Sequence, residues 1–101
     1  MARRAAKIDA NQNEVVEALR KMGATVAITS MVGAGYPDIH VSYQDDAFLV
    51  EIKDGKKPPS KRKLTPYEQK FHDSWQGPIH IFESVEQAIN FMNKMRIKDA
   101  D

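Results

Sequence analysis

The stretch from Gly33 to Lys53, GAGYPDIHVSYQDDAFLVEIK, limits most sharply what this chain can fold into. Read at a period of two, its second half puts Ala47, Leu49, Glu51 and Lys53 on one face of a strand and Phe48, Val50 and Ile52 on the other. A carboxylate and an ammonium therefore project from one side of an otherwise apolar strand. A central strand excludes such groups unless they are paired or metal-bound, because an uncompensated buried charge is costly. Upstream, Pro37 lacks an amide donor and suits the beginning of a strand. Ile39, Val41 and Tyr43 then alternate with His40 and Ser42, which share the face of Asp38. Gln44-Asp45-Asp46 reads as a hairpin turn, so the two strands pair antiparallel and bring Asp38 near Glu51 and Lys53. The expectation is that this trio converges on a divalent metal and a phosphodiester.

The rest of the chain frames that hairpin. At 101 residues it has room for one core. With no cysteine, disulfides and thiolate metal sites are excluded, which fits a reducing cytosol. No apolar run approaches the roughly 20 residues that span a bilayer, and the start, MARRAAKIDA, lacks the apolar core of a signal peptide. A cytoplasmic location, in a bacterial or phage-infected cell, is expected. Residues 1–7 read as a flexible basic segment, 8–96 as the single domain and 97–101 as a flexible tail.

From about Asp9 to Met22 the pattern is helical, with Ile8, Val15, Val16, Leu19 and Met22 on one stripe, Asp9 as cap and Gly23 as stop. Gln12 falls inside that stripe and needs a partner there: either a backbone group or a site. Glu14 and Glu17 face solvent. Ala24 to Ser30 is a β-branched run that reads as an edge or first strand.

After the hairpin, Asp54 to Lys63 (DGKKPPSKRK) reads as a loop without regular structure. Lys56, Lys57, Lys61, Arg62 and Lys63 concentrate positive charge there on a chain of net charge +1, which suits a phosphate backbone. Thr65-Pro66-Tyr67-Glu68 is a capped helix start. Leu64, Tyr67, Phe71 and Trp75 form its apolar stripe, taken as a packing face rather than a base-stacking platform. Glu68 leans toward the site from the stripe's margin and Gln69 points away. Pro78 to Phe82 is a short strand, and Ser84 and Gln87 cap a closing helix. The order is α-β-β-β-α-β-α, a small mixed α/β sheet flanked by helices.

The Pro37-Asp38 and Glu51-Ile52-Lys53 pairings, the run VEIKDGKKPPSKRKLTP and this element order resemble the PD-(D/E)xK nuclease superfamily. The nearest similarity is to small stand-alone phage and prophage nucleases, VRR-type nucleases and Holliday-junction resolvases. It spans nearly the whole chain. The resemblance implies a restriction-endonuclease-like core and a Mg²⁺- or Mn²⁺-dependent endonuclease acting on branched, flapped or duplex DNA. Asp38 and Glu51 would hold the metal with the carbonyl of Ile52; Lys53 would orient or deprotonate water and offset transition-state charge. A homodimer follows if two symmetric incisions are made. Gln12 stands where resolvases carry a first-helix glutamate, so it would act through a water or a hydrogen bond. His40 replaces an aliphatic residue and is read as a packed, hydrogen-bonded imidazole; His72 and His80 are read as structural. Two other readings compete: a non-catalytic nucleic-acid-binding module of the same fold, and an ordinary exposed Glu51–Lys53 pair on a solvated sheet face.

Overall fold

The computed structural model describes residues 8–99. The expected basic segment 1–7 and the final two residues lie outside them. The elements are α1 (Gln12–Lys21), β1 (Thr25–Ile28), β2 (Ile39–Tyr43), β3 (Asp46–Ile52), α2 (Pro66–Ser74), β4 (Ile79–Phe82) and α3 (Val85–Asp99), with one 3₁₀ turn at Pro59–Lys61. The mixed α/β class, one sheet with three helices, is the one expected. The 54–63 loop, however, is not wholly irregular, and α3 extends three residues beyond the expected end at 96.

Four strands form one mixed sheet in the order β1-β2-β3-β4. The first three pair antiparallel, and β4 returns parallel to β3 after the α2 crossover. Gln44 and Asp45 both have positive φ, 49° and 71°, and join the paired residues Tyr43 and Asp46. This is the two-residue hairpin whose left-handed corners match the strand twist. Asp46 therefore belongs to the strand and not to the turn. The register sets Ile39 opposite Val50 and His40 opposite Leu49, so Asp38 and Glu51 continue the ladder at its open end.

One face of the sheet is the core. Val26, Ile39, Val41, Tyr43, Phe48, Val50, Ile52 and Phe82 meet Val15, Val16 and Leu19 of α1 and Ala88 and Met92 of α3. The other face is covered at one end only. Leu49, Glu51 and Lys53 are buried there, whereas His40, Ser42 and Ala47 remain exposed. His40 is thus not the packed imidazole expected. The absence of a second full layer also leaves Tyr67 and Trp75 exposed, so the α2 stripe is not a packing face along its length. Phe71 is the exception, stacked on Trp75 and met edge-on by Tyr36. Ile8 likewise lies outside the core of α1. That helix starts at Gln12, with Asn11 rather than Asp9 at the cap position and no side-chain cap bond.

The connection from β1 to β2 passes through Gly33, Ala34 and Gly35, all with positive φ. Gly35 lies against the backbone of Tyr67 and Glu68, and a Cβ there would collide with the Tyr67 carbonyl; Gly33 has open space around it. Both positions penalise a side chain through φ, by about 1–2 kcal/mol. Only Gly35 adds a steric clash that must shift the start of α2. Denaturant unfolding is expected to show Gly35→Ala losing clearly more stability than Gly33→Ala; equal losses would contradict the close approach.

Candidate active site

The open end of the hairpin fixes the first carboxylate. Thr29 donates its amide to the Asp38 carbonyl (2.8 Å) and its hydroxyl to the Pro37 carbonyl (2.8 Å), which ties the start of β2 to the end of β1. Asp38 then reaches across the hairpin, where its Oδ2 accepts from the Ile52 amide at 2.8 Å. Asp38 and Glu51 lie within hydrogen-bonding reach of each other. Glu51 is 3% exposed, and its Oε1 is buried with no hydrogen-bond partner among the described residues. These burials contradict the reading of Glu51 and Lys53 as a solvated surface pair.

Lys53, 8% exposed, is held at both its backbone and its side chain. Its amide donates to the Phe82 carbonyl (3.0 Å), and its carbonyl accepts from Asn11 Nδ2 (3.1 Å), which also reaches the Glu83 carbonyl (3.3 Å). Its Nζ lies 2.7 Å from Glu68 Oε1 and 3.9 Å from Glu51 Oε2. The same Glu68 oxygen accepts the Thr65 amide (2.8 Å), while Thr65 Oγ1 accepts the Glu68 amide (3.2 Å). The capping box of α2 and the anchor of the site ammonium are therefore one group. The lean of Glu68 toward the site agrees with the sequence; Gln69 bonds Asp73 instead, away from it.

Gln12 is buried as the helical wheel requires. Its partner is neither a backbone group nor a site carboxylate but Ser30, whose hydroxyl lies 3.0 Å from Nε2 and 3.1 Å from Oε1 and also reaches the Asp38 carbonyl at 3.3 Å. Sequence reasoning missed both Ser30 and Asn11. Ser30 carried no periodic signal, and Asn11 occupies a helix-cap position without acting as a cap.

Burial dominates the electrostatics. It raises the Asp38 pKa, outweighing the hydrogen bond from Ile52. For Glu51, burial, the contact with Asp38 and the charges of Asp38 and Glu68 together push the pKa up to about 10, against a smaller opposing effect of Lys53. Without a cation, Glu51 therefore favours its protonated form at neutral pH. Burial works to lower the Lys53 pKa, but the hydrogen bond and charge of Glu68 prevail and the net direction is up. Lys53 is consequently an ammonium, not a base. Glu68 is also disfavoured by burial as an anion, yet its bonds from Lys53 and Thr65 lower its pKa overall.

Fully ionised, Asp38, Glu51 and Glu68 leave two negative charges uncompensated by Lys53. The orphaned Glu51 oxygen and the paired hard donors fit a small divalent cation. Among the described residues no cluster of three His, Cys, Asp or Glu side chains forms a ready-made metal cage. Two carboxylates are nevertheless what Mg²⁺ commonly takes from a protein, the remaining positions going to water and phosphate. Ile52, assigned a carbonyl role, contributes its amide in orienting Asp38.

The predicted phosphate-binding set divides. Lys57 pairs with Asp9 (3.2 Å) and Arg62 with Glu83 (3.1 Å), whereas Lys56, Lys61 and Lys63 are exposed. His80 packs against Phe48, Phe82 and Phe91, as a structural residue should. His72 has a buried Nε2 without a partner, and burial lowers its pKa.

Comparison with protein-family models, with curated proteins and with solved structures yields no significant match to this chain. Among the described residues no helix is long and apolar enough to cross a membrane.

The proton held by the carboxyl pair has a thermodynamic signature. Unfolding returns Glu51 to its ordinary value of 4.5, so between there and about 10 the native state keeps a proton that the unfolded chain has released. Stability from this source is complete at low pH and declines as pH rises; Asp38 acts in the same direction. His72 and His80, both lowered by burial, change stability only on the acid side of 6.5. Thermal melts in chelator are expected to show Tm falling between about pH 7 and about pH 9 in the wild type and a flatter profile in Glu51→Gln. An equally steep decline in the variant would remove this proton from the account.

Proposed function

We propose that the protein is a divalent-metal-dependent DNA endonuclease with a restriction-endonuclease-like core, similar to the PD-(D/E)xK nucleases. The observation that carries this reading is the pairing of half-buried Asp38 with buried Glu51, which has one orphaned carboxylate oxygen and the Lys53 ammonium beside it. A pair buried for structural reasons alone would destabilise the fold without return, since burying charge exceeds what a single ammonium recovers.

Asp38 and Glu51 would hold Mg²⁺ or Mn²⁺. When bound, such an ion acidifies water for attack and neutralises charge on the phosphoryl oxygens. The chain's own residues do the positioning. The Ile52 amide keeps Asp38 aimed across the hairpin. Glu68 keeps Lys53 protonated and fixes its ammonium at the edge of the pair, where it can stabilise charge developing on the attacked phosphate. Of the two roles implied for Lys53, electrostatic stabilisation is the one its raised pKa supports. Gln12 acts indirectly, through Ser30, on the backbone that carries Asp38. The exposed Lys56, Lys61 and Lys63 supply phosphate contacts, which position DNA without reading its sequence.

A second reading, a DNA-binding module that keeps the fold without cleavage, draws on one observation. The buried first-helix position holds an amide rather than a carboxylate, leaving only two acidic side chains at the pair. Cleavage assays separate the two. Purified protein with Mg²⁺ or Mn²⁺ is expected to cut branched or flapped DNA, and to stop in chelator. Asp38→Ala and Lys53→Ala should each reduce the rate by roughly 10²-fold or more while the variants still melt cooperatively. Metal-dependent cutting at the wild-type rate in Lys53→Ala would sink the nuclease reading.

A further inference from the structure

Beside the carboxylate pair, a groove of about 590 Å³ opens between the β1–β2 connection and the start of α2. Gly33, Ala34 and Gly35 line one side, Thr65 and Tyr67 the other, and Asp38 and Glu68 carry it inward to the site. The Gly33–Gly35 side has no side chain larger than a methyl. Gly35 sits tight against the Tyr67 backbone, which sets the position of that side of the groove relative to α2. Tyr67 is left 71% exposed, although it stands in the first turn of a well-capped helix. Met31 and Val32, between the groove residues Ser30 and Gly33, are 59% and 61% exposed. Tyr67 lines the opening itself, and Met31 and Val32 belong to the connection that supplies its glycine side, so exposed large side chains flank the groove in the chain.

The chemistry of the lining selects the occupant. Among the described residues no cation lines the groove, so its outer part, away from the metal site proposed at Asp38, offers a phosphate no counter-charge. A nucleobase is flat and uncharged, and an exposed tyrosine face is a platform for stacking one. An exposed Met is a side-chain type that wedges against a base step and unstacks it, and Val32 extends the apolar surface beside it. Lys63, exposed two residues before Thr65, is available for the backbone outside the groove.

We propose that this groove receives an unpaired nucleotide of the DNA substrate, its base stacked on Tyr67 while Met31 and Val32 press on the adjoining paired step. The protein then favours DNA in which a single strand abuts a duplex over fully paired DNA. This rests on the nuclease reading for its substrate class, but it concerns binding and is measured without cleavage.

The test is fluorescence anisotropy of the full chain, with Ca²⁺ in place of Mg²⁺, on blunt duplex and splayed-arm DNA of one sequence. A 2-aminopurine at the first unpaired position reports stacking. Wild type is expected to bind the splayed arm more tightly than the duplex and to quench the 2-aminopurine. Tyr67→Ala should weaken splayed-arm binding by roughly 5- to 150-fold, the loss from removing one stacking platform, with little change on duplex. Tyr67→Phe, which keeps the ring, should restore both signals. Unchanged splayed-arm binding in Tyr67→Ala would overturn the proposal, as would an equal loss on duplex or no binding to either DNA. A wild-type dimer that Tyr67→Ala dissociates would instead assign the surface to self-association. Lys53-dependent cleavage without a Tyr67 effect would leave the nuclease standing and remove this inference. Tyr67-dependent binding without cleavage would do the reverse.

Discussion

Two carboxyl groups, one buried and one half-buried, at the open end of a β-hairpin, with one ammonium to balance them, are the constraint on which the rest of the structure depends. Asp38 and Glu51 are forced together by register, because the Tyr43–Asp46 turn leaves no freedom to slide the strands past one another. A one-residue slip would turn Glu51 into the apolar core and Ile52 out of it. Holding Glu51 fully and Asp38 partly away from water is costly unless a proton, a cation or a hydrogen bond offsets each charge. The structure offers the Ile52 amide to one, leaves an oxygen of the other unpartnered, and brings Lys53 within 3.9 Å of that second acid. The site is under-neutralised, and that deficit is its chemical content.

The neighbouring elements are arranged to keep Lys53 in place. Its backbone extends the β3–β4 ladder by one bond through Phe82, and Asn11 ties it to the start of α1. Its side chain rests on Glu68, whose oxygen also closes the capping box of α2. A local helix-start signal is thus reused as a site element: the interaction that begins the helix orients the charge beside the acids. The same coupling explains why α2 can carry so little buried surface of its own. It is held at its first turn, by the cap, by Lys53 and by close approach to Gly35.

Much of this was legible in the sequence, and the pattern of success has a physical reason. Period-two alternation and a tight turn specify register, so the meeting of Asp38 with Glu51 followed from residues close in the chain. The inward turn of Gln12 and the cap at Thr65 are local as well. What escaped depends on contacts across long separations or on how many layers cover a surface. The partners of Lys57 and Arg62, Asp9 and Glu83, lie 48 and 21 residues away. That Lys53 sits closer to Glu68 than to Glu51 follows from where the 54–63 loop delivers α2. An apolar stripe identifies the face of a helix but not whether anything covers it, which is why the pattern points Tyr67 and Trp75 to packing while the fold leaves them exposed. His40 was misjudged for the same reason, on a sheet face that is covered only near Leu49, Glu51 and Lys53.

The central claim, that this carboxyl pair exists to receive a divalent cation, is tested most directly by calorimetric titration with Mn²⁺ in buffers of differing ionisation enthalpy. Because the free pair holds a proton at neutral pH, binding is expected to saturate, to release close to one proton per protein, and to vanish in Asp38→Ala. Failure to saturate, or binding that persists undiminished in that variant, would contradict the account.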